Sequence, residues 1–135
     1  MTMETKLKLE VVSPHGEVVS EDVDEVSAQG SEGDFGVFPG HVPFITTLKI
    51  GMLTYRKGSE NKYVFVNSGY AEVSPDKVIV LADSAERSED IDVERAKAAM
   101  QRAEERLKQA EKIDFARATA AVERATIRVQ LGGKR

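Results

Sequence analysis

The nine residues IDVERAKAA (Ile91–Ala99) are nearly repeated as IDFARATAA (Ile113–Ala121), with six of the nine identities kept. The match extends to the pairs Arg102/Arg124, Ala103/Ala125 and Arg106/Arg128. A repeat this short predicts two helices built to one plan. Asp92 and Asp114 stand where N-caps belong, because a short side-chain oxygen accepts from the free amides of a first helical turn. The spacing predicts one helix from there to about Glu111 and a second from Phe115 to about Leu131, ended by Gly132-Gly133. A connector as short as the one near Lys112-Ile113 leaves only an antiparallel hairpin.

The seam of that hairpin is predicted to be mostly alanine. Ala96, Ala99, Ala103 and Ala110 share a face with Leu107, and Phe115, Ala118, Val122, Ala125 and Val129 share a face of the second helix. Small residues let helices approach closely but bury little area, so at about 25 cal/mol per Å² such a hairpin is marginal alone. Arg95, Arg102 and Arg106 fall on one face, and Arg117, Arg124 and Arg128 repeat their spacing. That pattern fits a solvated face with i,i+4 pairs. It fits equally an anion-binding stripe, since guanidinium forks match phosphate or carboxylate oxygens. Spacing does not choose between them.

Upstream of about position 84 the composition changes. All four prolines, eight of ten glycines and seven of eight aromatics precede it, whereas eleven of fourteen alanines follow it. Two units are expected, residues 1–84 and 85–135. The first reads as strands. Lys6–Val12 alternates polar and apolar; Glu17–Val19, Val23–Val26, PFITTL, MLTYR, Lys62–Asn67, YAEVS and KVIVLAD follow, the last two joined through Pro75-Asp76. Short strands with a turn every few residues predict a sandwich or barrel, and the absence of intervening helices argues against a parallel α/β sheet.

With 41% apolar and 31% charged residues the chain has the composition of a soluble globular protein. No apolar run approaches the roughly 18 residues of a membrane span, and no signal-peptide pattern opens the chain. Cysteine is absent, which excludes disulfides, thiolate metal sites and cysteine nucleophiles; His15 and His41 are the only histidines, so no metal site is expected. Residues 1–83 carry 7 basic and 13 acidic side chains, and residues 84–135 carry 12 and 10. A net charge of −4 argues against a general nucleic-acid binder. The acidic run Glu21–Glu25 reads as a solvated strand edge rather than a calcium loop.

GSEGDFGVFPGHVPF (Gly30–Phe44) is glycine-rich, yet no Gly-Lys-Ser/Thr ending or helix follows it, so neither the P-loop nor the dinucleotide-binding pattern applies. Its apolar content predicts an ordered binding loop between strands. His41 reads as a structural hydrogen-bonder, since no Ser, Cys or second His lies near for a triad.

Taken together, GSEGDFGVFPGH, VLADSAER, DIDVERAKAA and the alanine/arginine-rich tail closely resemble the epsilon subunit of the bacterial F-type ATP synthase, over essentially the whole chain. The resemblance implies an α+β architecture: an N-terminal antiparallel β-sandwich followed by a C-terminal antiparallel helical hairpin. It implies a non-catalytic rotor subunit on the cytoplasmic face of the bacterial cell membrane, peripheral and not inserted. Its partners would be the gamma subunit and the c-subunit ring, with Glu32, Asp34 and His41 at that interface. The hairpin would brake ATP hydrolysis when extended toward the alpha and beta subunits. No catalytic cofactor is implied. ATP is implied as a regulatory ligand of the folded hairpin, through an I/L-D-x-x-R-A motif present as Ile91-Asp92-Val93-Glu94-Arg95-Ala96. Glu86, Ile91, Asp92, Arg95 and Ala96 would hold the adenosine part; Arg102, Arg124 and Arg128 would face the phosphates. A free-standing ATP-sensing module without a rotor partner is the alternative.

Overall fold

The computed structural model describes residues 6–109 and 112–132. Eight strands come first: β1 (Leu7–Ser13), β2 (Gly16–Val23), β3 (Glu25–Gly30), β4 (Gly33–Val37), β5 (Phe44–Leu48), β6 (Gly51–Lys57), β7 (Glu60–Val73) and β8 (Lys77–Arg87). A 3-10 turn at Ser88–Asp90 leads into α1 (Val93–Gln109) and α2 (Lys112–Gly132). The strands form one hydrogen-bonded sheet in the order β2-β1-β8-β7-β5-β3-β4, with β6 joined to β3 and β7. Period-two alternation drives the sheet to fold over on itself as a sandwich. Leu7, Leu9 and Val11 of β1, Leu53 and Tyr55 of β6, Val64 and Val66 of β7, and Val78 and Val80 of β8 all turn inward and are buried.

The fold is the expected sandwich and hairpin, with four local corrections. The pairing is not wholly antiparallel, because β1 runs parallel to β8 (Lys8↔Lys77 to Val12↔Leu81). This pairing is reached by a long excursion through the rest of the sheet, and short-range patterning cannot register it. The glycine-rich stretch is not loop throughout: Gly33–Val37 is β4, in a hairpin with β3 from Gly30↔Gly33 to Val26↔Val37. Its glycines hide the alternation. Lys62–Asn67 and Tyr70–Ser74 are not separate strands. β7 continues through both, pairing β6 over residues 60–66 and β5 over 69–73. The crossover lies at Ser68 and Gly69, with φ of 60° and 126°. A Cβ on Gly69 would fall on the Leu81 carbonyl oxygen, so this bend requires glycine. Finally, Lys112 and Ile113 belong to α2 rather than to a connector.

The hairpin lies against the outer side of β6 and β7. Phe65 alternates with the inward Val64 and Val66, so it should face water, yet it is fully buried under the helices. It forms an apolar cluster with Ile91, Ala96 and Leu131, flanked by Ile50, Met52, Tyr63, Ile127 and Val129. Fully burying each large side chain of this kind is worth about 1.5–3 kcal/mol. Between the helices, Ala96, Ala103, Ala118 and Ala125 are buried as predicted. Phe115 is not part of the seam: it is 55% exposed. Asp114 does not cap α2 either, because the helix begins two residues earlier and takes Asp114 into its first turn.

A polar cluster fixes the end of β8. Arg87 Nε donates to the Val18 carbonyl oxygen at 2.9 Å, and its Nη1 donates to Glu21 at 3.3 Å and to Tyr55 Oη at 3.4 Å. Tyr55 Oη donates to Glu21 at 2.6 Å, and Lys57 donates to the other carboxylate oxygen at 3.0 Å. Burial pushes the Glu21 carboxyl up, but the Tyr55 and Lys57 bonds and the neighbouring cations outweigh it and hold Glu21 below the usual carboxylate range. Burial, followed by the bond to Glu21, drives the Tyr55 phenol well above its ordinary value. The acidic run is therefore partly engaged rather than simply solvated: Asp24 pairs with Lys6 at 2.6 Å and accepts from the Gly58 amide at 2.7 Å.

Candidate ligand cleft at the base of the hairpin

Where β8 gives way to α1, the chain makes a corner. Ser88 is buried, its carbonyl oxygen accepts from the Ile91 amide at 3.3 Å, and Ile91 turns into the apolar cluster. Asp92 then caps α1, with Oδ1 accepting from the Arg95 amide at 3.0 Å. Three of the four specified letters of the Ile-Asp-x-x-Arg-Ala motif thus have a local task. Ile91 anchors, Asp92 starts the helix, and Ala96 is buried in the seam so that α2 can come close.

Above this corner opens a cleft of about 410 Å³. Glu86 and Asp90 line it from the strand end and the turn, Asp92 from the cap of α1, Arg95 and Arg102 from α1, and Arg128 from α2. Ile91, Ala96, Ala99 and Ala125 form its apolar floor. Glu86 Oε1 accepts from Arg128 Nε at 2.7 Å, and the same guanidinium sits 4.3 Å from the centre of the Phe65 ring. The Arg95 and Arg102 guanidinium groups make no ion pair among the described residues. The cleft therefore offers carboxylate acceptors at one end, two free guanidinium forks, and an apolar surface between. This suits a ligand with a flat amine-bearing ring, hydroxyls and an anionic tail.

Seven of the eight residues expected at a nucleotide, namely Glu86, Ile91, Asp92, Arg95, Ala96, Arg102 and Arg128, are brought together here. Arg124 is not among them. It lines a separate cleft farther along the hairpin, with Arg106 and Arg117. Asp90 was not singled out by the sequence reading, having no place in the motif; the 3-10 turn brings it to the rim.

Glu32, Asp34 and His41 are exposed or half-buried and share no side-chain hydrogen bond or ion pair. Glu32 lies in the β3–β4 turn, next to Ser31, whose amide donates to the Thr47 carbonyl oxygen. His41 lies beside Phe44 at the other end of β5, its Nδ1 donating to the Val42 carbonyl oxygen at 2.7 Å. Four strand steps of about 3.3 Å separate the two ends. Between and beside them is an apolar face whose loop members the sequence reading had noted and whose strand members it missed. Phe38, Val42, Ile45, Tyr70 and Leu81 are all exposed, and the register Tyr70↔Leu81 puts two of them side by side. Only the strand register tells which members of β5, β7 and β8 face outward. No described helix is long and apolar enough to cross a membrane.

Comparison with known proteins agrees with this architecture. Residues 6–88 match the family described as ATP synthase, delta/epsilon chain, beta-sandwich domain, and residues 89–133 match the long alpha-helix domain of the same chain. The ATP synthase epsilon chain of Thermodesulfovibrio yellowstonii is 63% identical over 80% of this chain and 77% of its own length. That of Geotalea uraniireducens is 55% identical over 79% and 78%. Among solved structures, a chain of the Euglena gracilis mitochondrial ATP synthase (OSCP/F1/c-ring, rotational state 1) superposes with a TM-score of 0.82 at 19% identity. It covers all of this chain and 85% of that one, and so shares the fold. On these matches, which together span both the sandwich and the hairpin, the chain belongs to the ATP synthase delta/epsilon chain family, and its named relatives are bacterial epsilon chains.

Proposed function

We propose that the chain is a non-catalytic rotor subunit of the central stalk of a bacterial F-type ATP synthase. Its sandwich binds the gamma subunit and the c-subunit ring at the cytoplasmic face of the membrane, and so helps couple proton flow to ATP synthesis. Glu32, Asp34 and His41 lie at this interface, and the exposed apolar face of Ile45, Tyr70 and Leu81 extends it. Epsilon-chain relatives of high identity support the assignment, as does a fold shared with a chain of a solved F1/c-ring assembly.

The hairpin is the regulatory part. Docked, it binds ATP in the first cleft; released, it extends toward the alpha and beta subunits and inhibits hydrolysis. The observation that carries this reading is the composition of the cleft. Its walls come from β8, α1 and α2 together, so a ligand that fills it binds only the docked state. Such a ligand stabilises that state by RT ln(1 + [L]/Kd), about 2.7 kcal/mol at one hundred times Kd. That adds to what the apolar cluster and the alanine seam supply, so nucleotide level shifts the population toward the docked state.

Calorimetric titration of the full chain with ATP, ADP and GTP tests the ligand. ATP binding is expected, and Arg95→Ala with Arg102→Ala should abolish it without lowering the unfolding midpoint of the sandwich. Unaltered ATP affinity in the double variant defeats the assignment. Affinity purification from native membranes tests the partners. Recovery of gamma, alpha and beta subunits is expected; ATP binding with none of them recovered would favour a free-standing sensor.

A further inference from the structure

Met52 of β6 stands at the margin of the contact between hairpin and sandwich. On one flank the Met52↔Phe65 register puts its side chain beside the apolar cluster of Phe65, Ile91 and Leu131 under the docked helices. On the other flank it walls an open trough of about 390 Å³ on the outer face of β3, β4 and β6. The pairs Ser27↔Gly36 and Ser27↔Thr54 set short side chains in a row across these three strands, which leaves the trough unfilled. Gln29 lines it as well, and its Oε1 accepts from the Met52 amide at 2.8 Å, so the backbone of Met52 is fixed in place. The Met52 side chain is half-buried, with an apolar cluster on one side and a polar, open space on the other. The chain has four methionines and no cysteine, so thioethers are its most readily oxidised groups. Met100, the other methionine among the described residues, is half-buried in the helix seam, where Thr126 Oγ1 lies 3.7 Å from its sulfur.

We infer that Met52 is an oxidation site whose modification loosens the hairpin from the sandwich. The oxidant is hydrogen peroxide. The sulfur lone pair takes one peroxide oxygen, the O–O bond breaks, and the other oxygen leaves as water. Sulfur gives up two electrons, the peroxide accepts them, and the thioether becomes a sulfoxide. A sulfoxide oxygen is polar and accepts hydrogen bonds, so holding it against Phe65 and Ile50 without a donor is costly. Its donors lie on the trough side, where Ser27 and Thr54 carry hydroxyls and water enters. The oxidised side chain therefore turns out of the cluster and withdraws an apolar contact from α2. Met100 differs, because a sulfoxide there meets the Thr126 hydroxyl as a donor, and the seam tolerates it. One methionine is thus the sensor and the other an internal control. The inference concerns docking alone and depends neither on the ligand of the cleft nor on a partner subunit.

Limited treatment of the full chain with hydrogen peroxide tests this, with peptide mass spectrometry to locate the added oxygen and amide hydrogen exchange to follow docking. Oxidation at Met52 should raise α2 exchange by about fivefold or more while β1 and β8 exchange stays slow. Methionine sulfoxide reductase should restore the slow rate. Met52→Leu, a volume-conserving change, should keep α2 protected at the same peroxide dose, whereas Met100→Leu should not. Met52→Gln, which places a polar group at the same point, should loosen α2 with no peroxide present. The inference is overturned if Met52 stays unmodified at a dose that oxidises Met100, or if its sulfoxide leaves α2 exchange unchanged. It is overturned equally if peroxide loosens the hairpin of Met52→Leu as much as that of the unaltered chain.

Discussion

Arg128 is gripped from two sides, by the Glu86 carboxylate and by the face of Phe65, and it is thereby the polar fastening between α2 and the sandwich. The pair is about a third exposed, so its worth is below that of a buried one. Arg128→Ala should weaken docking by about 1–2 kcal/mol, from a screened ion pair plus a cation–π contact. Hydrogen exchange of the α2 amides should rise while that of β1 and β8 stays slow. Equal acceleration in both would mean that helix and sandwich unfold as one. The Glu21 cluster makes a prediction of opposite sign at the two ends of the pH scale. Glu21 has a depressed pKa in the folded state, so its contribution is present above 4.5, its unfolded value, and is lost as pH falls through the folded value. Tyr55 has a raised pKa, so its contribution is full below 10.0 and is lost as pH climbs beyond it. Glu21→Gln should therefore flatten the acid limb of a stability profile, and Tyr55→Phe the alkaline limb. At Gly69, φ of 126° and the nearness of the Leu81 carbonyl combine, and Gly69→Ala should lower the urea midpoint by several times what Gly58→Ala does, since nothing lies within 4 Å of a Cβ on Gly58.

The alanine seam is a property of the helices as elements. Ala103 and Ala125 are both buried, and enlarging either side chain forces the backbones apart. Ala125→Leu should cost about 1–3 kcal/mol of hairpin stability, the range for overpacking, and leave the sandwich transition untouched. Differential unfolding followed at 222 nm and by sheet amide exchange separates the two. The elements also mark how far the sequence could be read. Helix period and the alanine face of Ala96–Ala103 were legible because they are local, and so were the alternating strands β1, β6 and β8. The start of α2 was not, because Asp114 imitates a cap while the helix reaches back to Lys112. β4 was not, because Gly33 and Gly36 carry no side chain to reveal the alternation. The parallel β1–β8 pairing joins residues some seventy positions apart, as in Lys8↔Lys77, and only the completed sheet specifies it. For the site, the motif named four residues that do meet, and the family resemblance added Glu86, Arg102 and Arg128, which join them. Arg124 fell elsewhere because an i,i+4 step moves a side chain about 6 Å along the axis, enough to pass from one cleft to the next.

For the molecule as a whole, the sandwich and the hairpin are joined through one strand end that is itself tied down. Arg87 bonds back to Val18, Glu21 and Tyr55, so the fixed part of the chain extends to Arg87 and the turn begins only at Ser88. A chain ending at Asp90 should therefore be more stable to urea than one ending at Ala85, by about 1.5–3 kcal/mol, the range for hydrogen bonds to charged groups. Equal midpoints would show that the Arg87 bonds contribute nothing. Truncation has a further result that follows from Phe65. With the helices gone, Phe65 stands with Met52, Tyr63 and Ile50 as a bare greasy disc on an otherwise acidic body. The release proposed for the hairpin would uncover the same disc. An isolated monomer in that open form would be a sticky particle, prone to self-association in proportion to its concentration, so such a lever would be released at low cost only where some other surface stood ready to shield what it leaves behind.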